Sequence, residues 1–188
     1  MITEVSVFDH VVPLALLETA GVRGGRAFLT ERELADYARL THAARRQEWL
    51  AARVCVKTLL MERGFIKKPL SCEVAKDDKG RPFIKYLGKA QHRPVDCSIS
   101  HKGKYVAAVL TEEQGARVGV DIERVSSKPA NLRSGFTNSG DTLMIPASEV
   151  HFTALWSIKE AVSKVVGAGL WMGLSALVCR ETSDGLCE

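Results

Sequence analysis

Two stretches of this 188-residue chain echo one another, and the echo narrows the folds open to it. Trp49, Arg53 and Lys57 recur as Trp156, Glu160 and Lys164, each 107 residues further on. Within each triplet the spacing is i, i+4, i+8, so each reads as one face of a helix. The first helix is expected over residues 43–63, with Gly64 beyond its end; the second over 148–166, closed by Gly167-Ala168-Gly169. Each is followed by an apolar stretch, Cys72-Glu73-Val74 or Leu177-Val178-Cys179, and then by an acidic turn ending in Gly80 or Gly185. This pattern predicts an α+β pseudo-dimer. Its halves, 1–116 and 117–188, would each hold a helix and a small antiparallel sheet, with the active site in the cleft between them.

Local signals fill in the remainder. Residues 3–8 and 11–17 read as strands. Thr30 followed by Glu33 is a capping-box pattern, so a helix starts near Glu31 and should carry Leu34 and Leu40 inward. Strands are expected over 70–76 and from Pro82, around the turn Asp77-Asp78-Lys79-Gly80. Residues 96–101 and 105–110 read as a hairpin about Lys102-Gly103-Lys104. Val118-Gly119-Val120-Asp121-Ile122-Glu123 reads as a strand, residues 126–146 as a loop, and 174–181 as one more strand.

Composition excludes several classes. Hydrophobic content of 46% and a net charge of +4 are ordinary for a globular chain, and no basic run points to nucleic acid. Five cysteines without a C-x-x-C pair suggest free thiols in a reducing compartment. No apolar stretch reaches the length of a membrane span, and the acidic start lacks a signal-peptide pattern, so a cytoplasmic location is expected.

The chemistry-bearing residues cluster. In a strand over 118–123, Asp121 and Glu123 point one way while Val120 and Ile122 point into the core. Glu160 and Lys164 lie on the face of the second long helix. Three carboxylates and a lysine suit a hard divalent cation beside a phosphate chain. Ser98 and Ser100 share one face of their strand, and His101, Lys102 and Lys104 crowd its turn, a composition suited to phosphate. Arg46 and Arg53 lie on a similar face of the first long helix.

Residues 118–123, 98–101, 156–164 with the trailing Gly167-Ala168-Gly169-Leu170, and 46–57 together resemble the signature blocks of Sfp-type 4′-phosphopantetheinyl transferases. The resemblance runs from about Phe28 to Gly185. It implies transfer of the 4′-phosphopantetheine arm of coenzyme A to a serine of an apo acyl or peptidyl carrier protein, releasing adenosine 3′,5′-bisphosphate. It also implies that Asp121, Glu123 and Glu160 ligate Mg²⁺, with Mn²⁺ as a substitute, and that Lys164 contacts the pyrophosphate. Ser100 and His101 would take coenzyme A phosphates. Lys79, Gly80, Arg81 and Pro82 resemble the block beside the adenine, and Arg46 and Arg53 are carried over to the nucleotide phosphates. Glu160 is the first candidate for the base and Glu123 the second. Lys159 matches the helix motif but lies about 100° from Glu160 around the helix.

Two departures stand out. The family's Phe-Phe-acidic stretch reads Gly135-Phe136-Thr137-Asn138-Ser139-Gly140 here, with Gly at the acidic position. Family members also continue past the equivalent of Glu188, so a smaller second sheet is expected. The chain is expected to act as a monomer, without nucleic acid or membrane. The rival readings are a Mg²⁺-dependent nucleotide pyrophosphate hydrolase and a non-catalytic coenzyme A or carrier-binding module.

Overall fold

The computed structural model describes residues 1–7, 10–88, 94–167 and 173–182. Ala168, Gly169 and Leu170 of the helix-closing motif, and also Gly185 and Cys187, lie outside the described residues. Strands β1 (Ile2–Val7) and β2 (His10–Glu18) precede helices α1 (Glu31–Arg39) and α2 (Ala43–Glu62). Strands β3 (Cys72–Lys76), β4 (Pro82–Tyr86), β5 (Asp96–Lys102) and β6 (Tyr105–Thr111) follow. The second half carries a short helix α3 (Ser127–Asn131) and the long α4 (Glu149–Val166). The class is α+β, as expected. One antiparallel sheet has the order β1-β2-β6-β5, and β3 pairs with β4 in a second.

The large sheet is covered on both faces, which is why β6 is buried at five consecutive positions. On one face, α2 packs Ala51, Cys55, Val56, Leu59 and Leu60 against Ala15, Cys97, Val106, Ala108 and Leu110. On the other, Val118, Val120 and Ile122 pack against Ala107, Val109, Leu14 and Leu16. The alternation expected for residues 118–123 is therefore real, yet the segment joins no strand ladder. Its amides are satisfied by side chains instead. Val118 N donates to Asp96 Oδ2 at 2.8 Å, Val120 N to Ser98 Oγ at 3.1 Å and Ile122 N to Ser100 Oγ at 3.3 Å. Each partner lies 22 residues earlier, so the segment runs parallel to β5 across the face of the sheet. Buried amides must find acceptors, and short polar side chains on alternate residues of β5 supply them.

Thr30 caps α1 with both bonds of the expected capping box. The inward residue is not Leu34, which is 38% exposed, but Glu33, which is 3% exposed. Its Oε2 accepts from Lys57 Nζ at 2.5 Å and from Thr30 N at 3.0 Å, and its Oε1 from Val74 N at 3.0 Å. Lys57 also donates to Phe28 O at 2.8 Å. The second half repeats this clasp. Asp141 Oδ2 accepts from Lys159 Nζ and Asn138 N, both at 2.7 Å, and Oδ1 from Cys179 N at 2.9 Å. Lys159 donates further to Phe136 O at 2.9 Å and Leu177 O at 2.7 Å.

The internal repeat is thus present, but in a different register. Lys57 corresponds to Lys159, not to Lys164. Phe28, Thr30 and Glu33 correspond to Phe136, Asn138 and Asp141, each 108 residues on. The acidic residue of that stretch is Asp141, one beyond Gly140. Lys159 is therefore a core lysine, 1% exposed. The expected strand over 174–181 is, among the described residues, a 3-10 turn at Leu174–Ala176 and a single parallel bridge between Thr142 and Arg180. Residues 126–146 include α3, and Phe136 is buried edge-on against Trp156 at 5.2 Å.

Breaking one member of a buried ion pair leaves the other charge uncompensated, at a cost of about 3 kcal/mol or more. Asp141→Asn and Glu33→Gln are each expected to lose stability of that order in urea unfolding. A loss below about 1 kcal/mol, within the range of an exposed pair, would show that the clasps do not hold the halves.

Candidate active site at the junction of the two halves

Strand β5 divides the site. Its even residues, Asp96, Ser98 and Ser100, face the 118–122 segment, and its odd ones face α2. Ser100 and His101, expected to share one ligand, therefore stand on opposite faces of the sheet. Because β5 is an edge strand, a ligand passing around that edge meets both.

On the first side, Lys164 Nζ reaches Asp121 Oδ1 at 2.7 Å, Val120 O at 2.8 Å and Ser100 Oγ at 3.0 Å. Ser100 Oγ donates to Asp121 Oδ1 at 2.8 Å. Ser157, one turn before Glu160 on α4, donates to Asp121 Oδ2 at 2.9 Å. Asp121 is thus held by three side chains, and Ser100 is buried beneath it. Glu123 pairs with Lys102 at 2.5 Å. The close approach of α4 requires Gly119: a Cβ there would lie 2.1 Å from Ala161 O.

Glu160 has its carboxyl pushed above the usual range, first by burial and then by repulsion from Asp121 and, less, Glu123, with Lys164 opposing. Three carboxylates therefore feel one another. Among the described residues no three carboxylate, imidazole or thiol groups are arranged to hold a metal ion. In donor chemistry the set still fits a hard divalent cation, because the repulsion raising Glu160 is what such a cation relieves.

On the second side, a cavity of about 210 Å³ is lined by Arg45, Glu48, Trp49, Arg53, Lys76, Gly80, Pro82, Ile99 and His101. Arg53 stacks on Trp49, its guanidinium carbon 3.3 Å from the ring centroid, and donates to Val74 O at 3.3 Å. Burial lowers its pKa to about 10. Lys76, exposed at the end of β3, is lowered by partial desolvation against the cavity wall and then by the neighbouring Arg53 and Arg45. Cationic side chains crowded around a cavity with Glu48 as its single lining carboxylate make a receptor for an anion. His101 is half exposed, 3.6 Å from Glu48.

Of the residues expected here, Arg53, Gly80, Pro82 and His101 line this cavity, and Asp121, Glu123, Glu160, Lys164 and Ser100 gather on the other side. Lys79 is exposed, in the Asp77 turn. Arg46 is directed elsewhere, onto the Tyr37 ring at 4.7 Å and into a separate cavity with Arg23 and Arg26. Arg81 is turned inward, to Asp96. Sequence reasoning missed Lys76, Arg45 and Ser157. Ser157 lies within the helix motif, and Arg45 lies i−4 and i−8 from Trp49 and Arg53, so both had a signal; Lys76 had none beyond ending β3.

Residues 117–188, which carry Asp121, Glu123, Glu160 and Lys164, match the 4′-phosphopantetheinyl transferase superfamily. Several curated proteins of that name are similar to the chain. The chain is 34% identical to the 4′-phosphopantetheinyl transferase psf-1 of Bacillus pumilus over 114 residues, 58% of this chain and 46% of that one. To Sfp of Bacillus subtilis strain 168 it is 24% identical over 164 residues, 85% of this chain and 69% of that one. The chain is thus similar to 4′-phosphopantetheinyl transferases, Sfp among them. It spans about half the length of the relatives it matches first. A holo-(acyl-carrier-protein) synthase from Bacillus anthracis, solved with coenzyme A (3′,5′-ADP), aligns at 24% identity and TM-score 0.46, over 53% of this chain and 91% of that one.

A carboxyl raised in the folded state contributes stability that is present below its unfolded pKa and lost as pH rises through the folded pKa. Near neutral pH, Glu160 is therefore a net cost. Without added metal, Glu160→Gln is expected to be more stable than the parent by on the order of 0.5 kcal/mol, discounted for solvent screening. The gain should vanish below about pH 4, where glutamate is protonated in both states. Thermal unfolding across pH measures it; an equal gain at both ends of the range would assign the effect to packing.

Proposed function

We propose that the protein transfers the 4′-phosphopantetheine arm of coenzyme A to a serine hydroxyl of an apo acyl or peptidyl carrier protein, releasing adenosine 3′,5′-bisphosphate. The observation that carries this reading is the pairing of two receptors across one edge strand. Arg45, Arg53, Lys76 and His101 surround one cavity. Around the edge of β5 stand Ser100, Asp121 and Lys164, with Glu160 beside Asp121. A nucleotide with a pyrophosphate is a ligand that needs both: phosphate contacts at one end, and neutralisation of the pyrophosphate at the other.

In this reading the nucleotide lies against Trp49 and Arg53, with His101 on its phosphate. Lys164 moves from Asp121 to the pyrophosphate oxygens. Asp121, Glu123 and Glu160 would hold Mg²⁺, or Mn²⁺ in its place, and a bound ion would supply charge neutralisation at the pyrophosphate. The carrier serine oxygen attacks the β-phosphorus, and the bond to the bisphosphate oxygen breaks. Glu160, directly or through a bound water, accepts the serine proton, with Glu123 as the second candidate. Both receptors come from one chain, which suits a monomer. The buried thiols of Cys55, Cys72 and Cys97 suit a reducing compartment such as the cytoplasm.

Incubation with coenzyme A, Mg²⁺ and an apo carrier protein should add one phosphopantetheine group to the carrier, read by intact-mass spectrometry. Lys164→Ala should lower kcat by roughly 10²–10³-fold, as loss of one charge-stabilising donor does. No mass gain across several acyl and peptidyl carriers would refute transfer. Release of bisphosphate from coenzyme A with no carrier present would favour pyrophosphate hydrolysis instead.

A further inference from the structure

We infer that Arg81 is a positioning residue, setting the 118–122 segment against α4, and not a ligand of the nucleotide; this builds on the transfer reading above. Its place in the chain, between Gly80 and Pro82, would put it beside the cavity. Gly80 and Pro82 do line that cavity, but Arg81 does not. The turn before it is closed by Asp77, whose Oδ1 accepts from Lys79 N at 2.9 Å and Arg81 N at 2.8 Å, with Gly80 at φ 83°. The guanidinium leaves this turn towards the second half, and its side chain is 11% exposed.

There it meets three acceptors. Nη2 donates to Asp96 Oδ2 at 2.5 Å and to Val118 O at 3.2 Å. Nη1 donates to Lys164 O. Asp96 Oδ2 in turn accepts from Val118 N at 2.8 Å. Both main-chain polar groups of Val118 therefore end on this one ion pair. The carbonyl of Lys164 belongs to the last turn of α4, where no intrahelical donor remains for it. A cation there is also favoured by the helix dipole.

The guanidinium is planar, so the positions of Nη1 and Nη2 are fixed relative to each other. By holding the carbonyl of residue 164 with one and that of residue 118 with the other, Arg81 sets the spacing between α4 and the segment carrying Asp121 and Glu123. It does so at the residue whose ammonium sits on Asp121. An ammonium presents its donors from a single freely rotating nitrogen and not from two nitrogens fixed in one plane, so lysine cannot set this spacing in the same way.

The test compares Arg81→Gln, Arg81→Lys and Asp96→Asn with the parent in two measurements. In steady-state transfer, each variant should lower kcat about tenfold or more while KM for coenzyme A moves less than about threefold, the signature of misplaced catalytic groups and not of lost substrate binding. The Arg81→Gln/Asp96→Asn double variant should be little worse than either single one, because both remove the same contact. In hydrogen exchange, the amides of Val118, Val120 and Ile122 should lose protection while those of β6 and α2 keep theirs. A tenfold or larger rise in KM at unchanged kcat would make Arg81 a nucleotide ligand, and unchanged exchange at 118–122 overturns the inference whatever the kinetics. If the parent modifies no carrier, the transfer reading fails on its own and hydrogen exchange still decides the positioning role. Should the variants not fold, the parent decides: Val118 NH should be protected like the β6 amides, and exchange at the rate of open coil refutes the clamp.

Discussion

The candidate site depends on how five residues without a strand partner satisfy their backbone. Residues 118–122 lie on the face of a sheet, not at its edge, so no ladder is open to them. A buried amide without an acceptor costs on the order of 1–3 kcal/mol, and three of them would keep the segment from docking. Asp96, Ser98 and Ser100 remove that cost by presenting one side-chain oxygen each, in step with the pleat. The register this creates is what puts Asp121 over Ser100 and under Ser157. A one-residue slip would turn Val120 outward and the carboxylates into the apolar layer.

Around this contact the molecule uses charge in two different ways. The clasps at Lys57–Glu33 and Lys159–Asp141 are buried, and their polar atoms are bonded to backbone as well as to each other. They are internal struts, each tying the end of a loop to a helix and to the segment that follows it. The charges at the site are less settled. Lys164 and Lys102 sit on Asp121 and Glu123, while Glu160 is raised by burial and by the carboxylates near it. Partly exposed pairs of this kind can exchange partners with little desolvation. The division between rigid and exchangeable pairs follows burial: Lys57 and Lys159 are essentially inaccessible, while the Lys164 and Lys102 side chains are 27% and 42% exposed.

Much of the fold is legible in local signals, for physical reasons. The capping box at Thr30, the left-handed glycines at 64 and 167, and the hairpin at Gly103 are short-range preferences that tertiary structure leaves intact. The repeat is legible too, but its register is not where equal spacing of Trp and Lys puts it. The informative pattern is Phe-x-polar-x-x-acidic, at Phe28-Thr30-Glu33 and Phe136-Asn138-Asp141, and its meaning lies in contacts with lysines 18 to 24 residues later. Hydrophobic periodicity does not reveal it, because its key members are buried charges. Glu33 in place of Leu34 on the inner face of α1 is the same lesson: periodicity expects the apolar residue inside, and a buried ammonium reverses the choice.

By itself the sequence determined the α+β class, the helix and hairpin limits and the similarity to phosphopantetheinyl transferases, and it singled out Asp121, Glu123, Glu160 and Lys164. These depend on residue type and on spacing within one element. Only the tertiary structure decided which faces meet. It separated Ser100 from His101 across β5, brought Lys76 and Arg45 to the cavity, sent Arg46 to Tyr37 and turned Arg81 from the cavity to the backbone of residues 118 and 164. The first follows from the alternation of β5, and the other three share one physical reason. A long polar side chain can reach several acceptors from one Cα, and which it takes is settled by what the fold buries nearby and must satisfy.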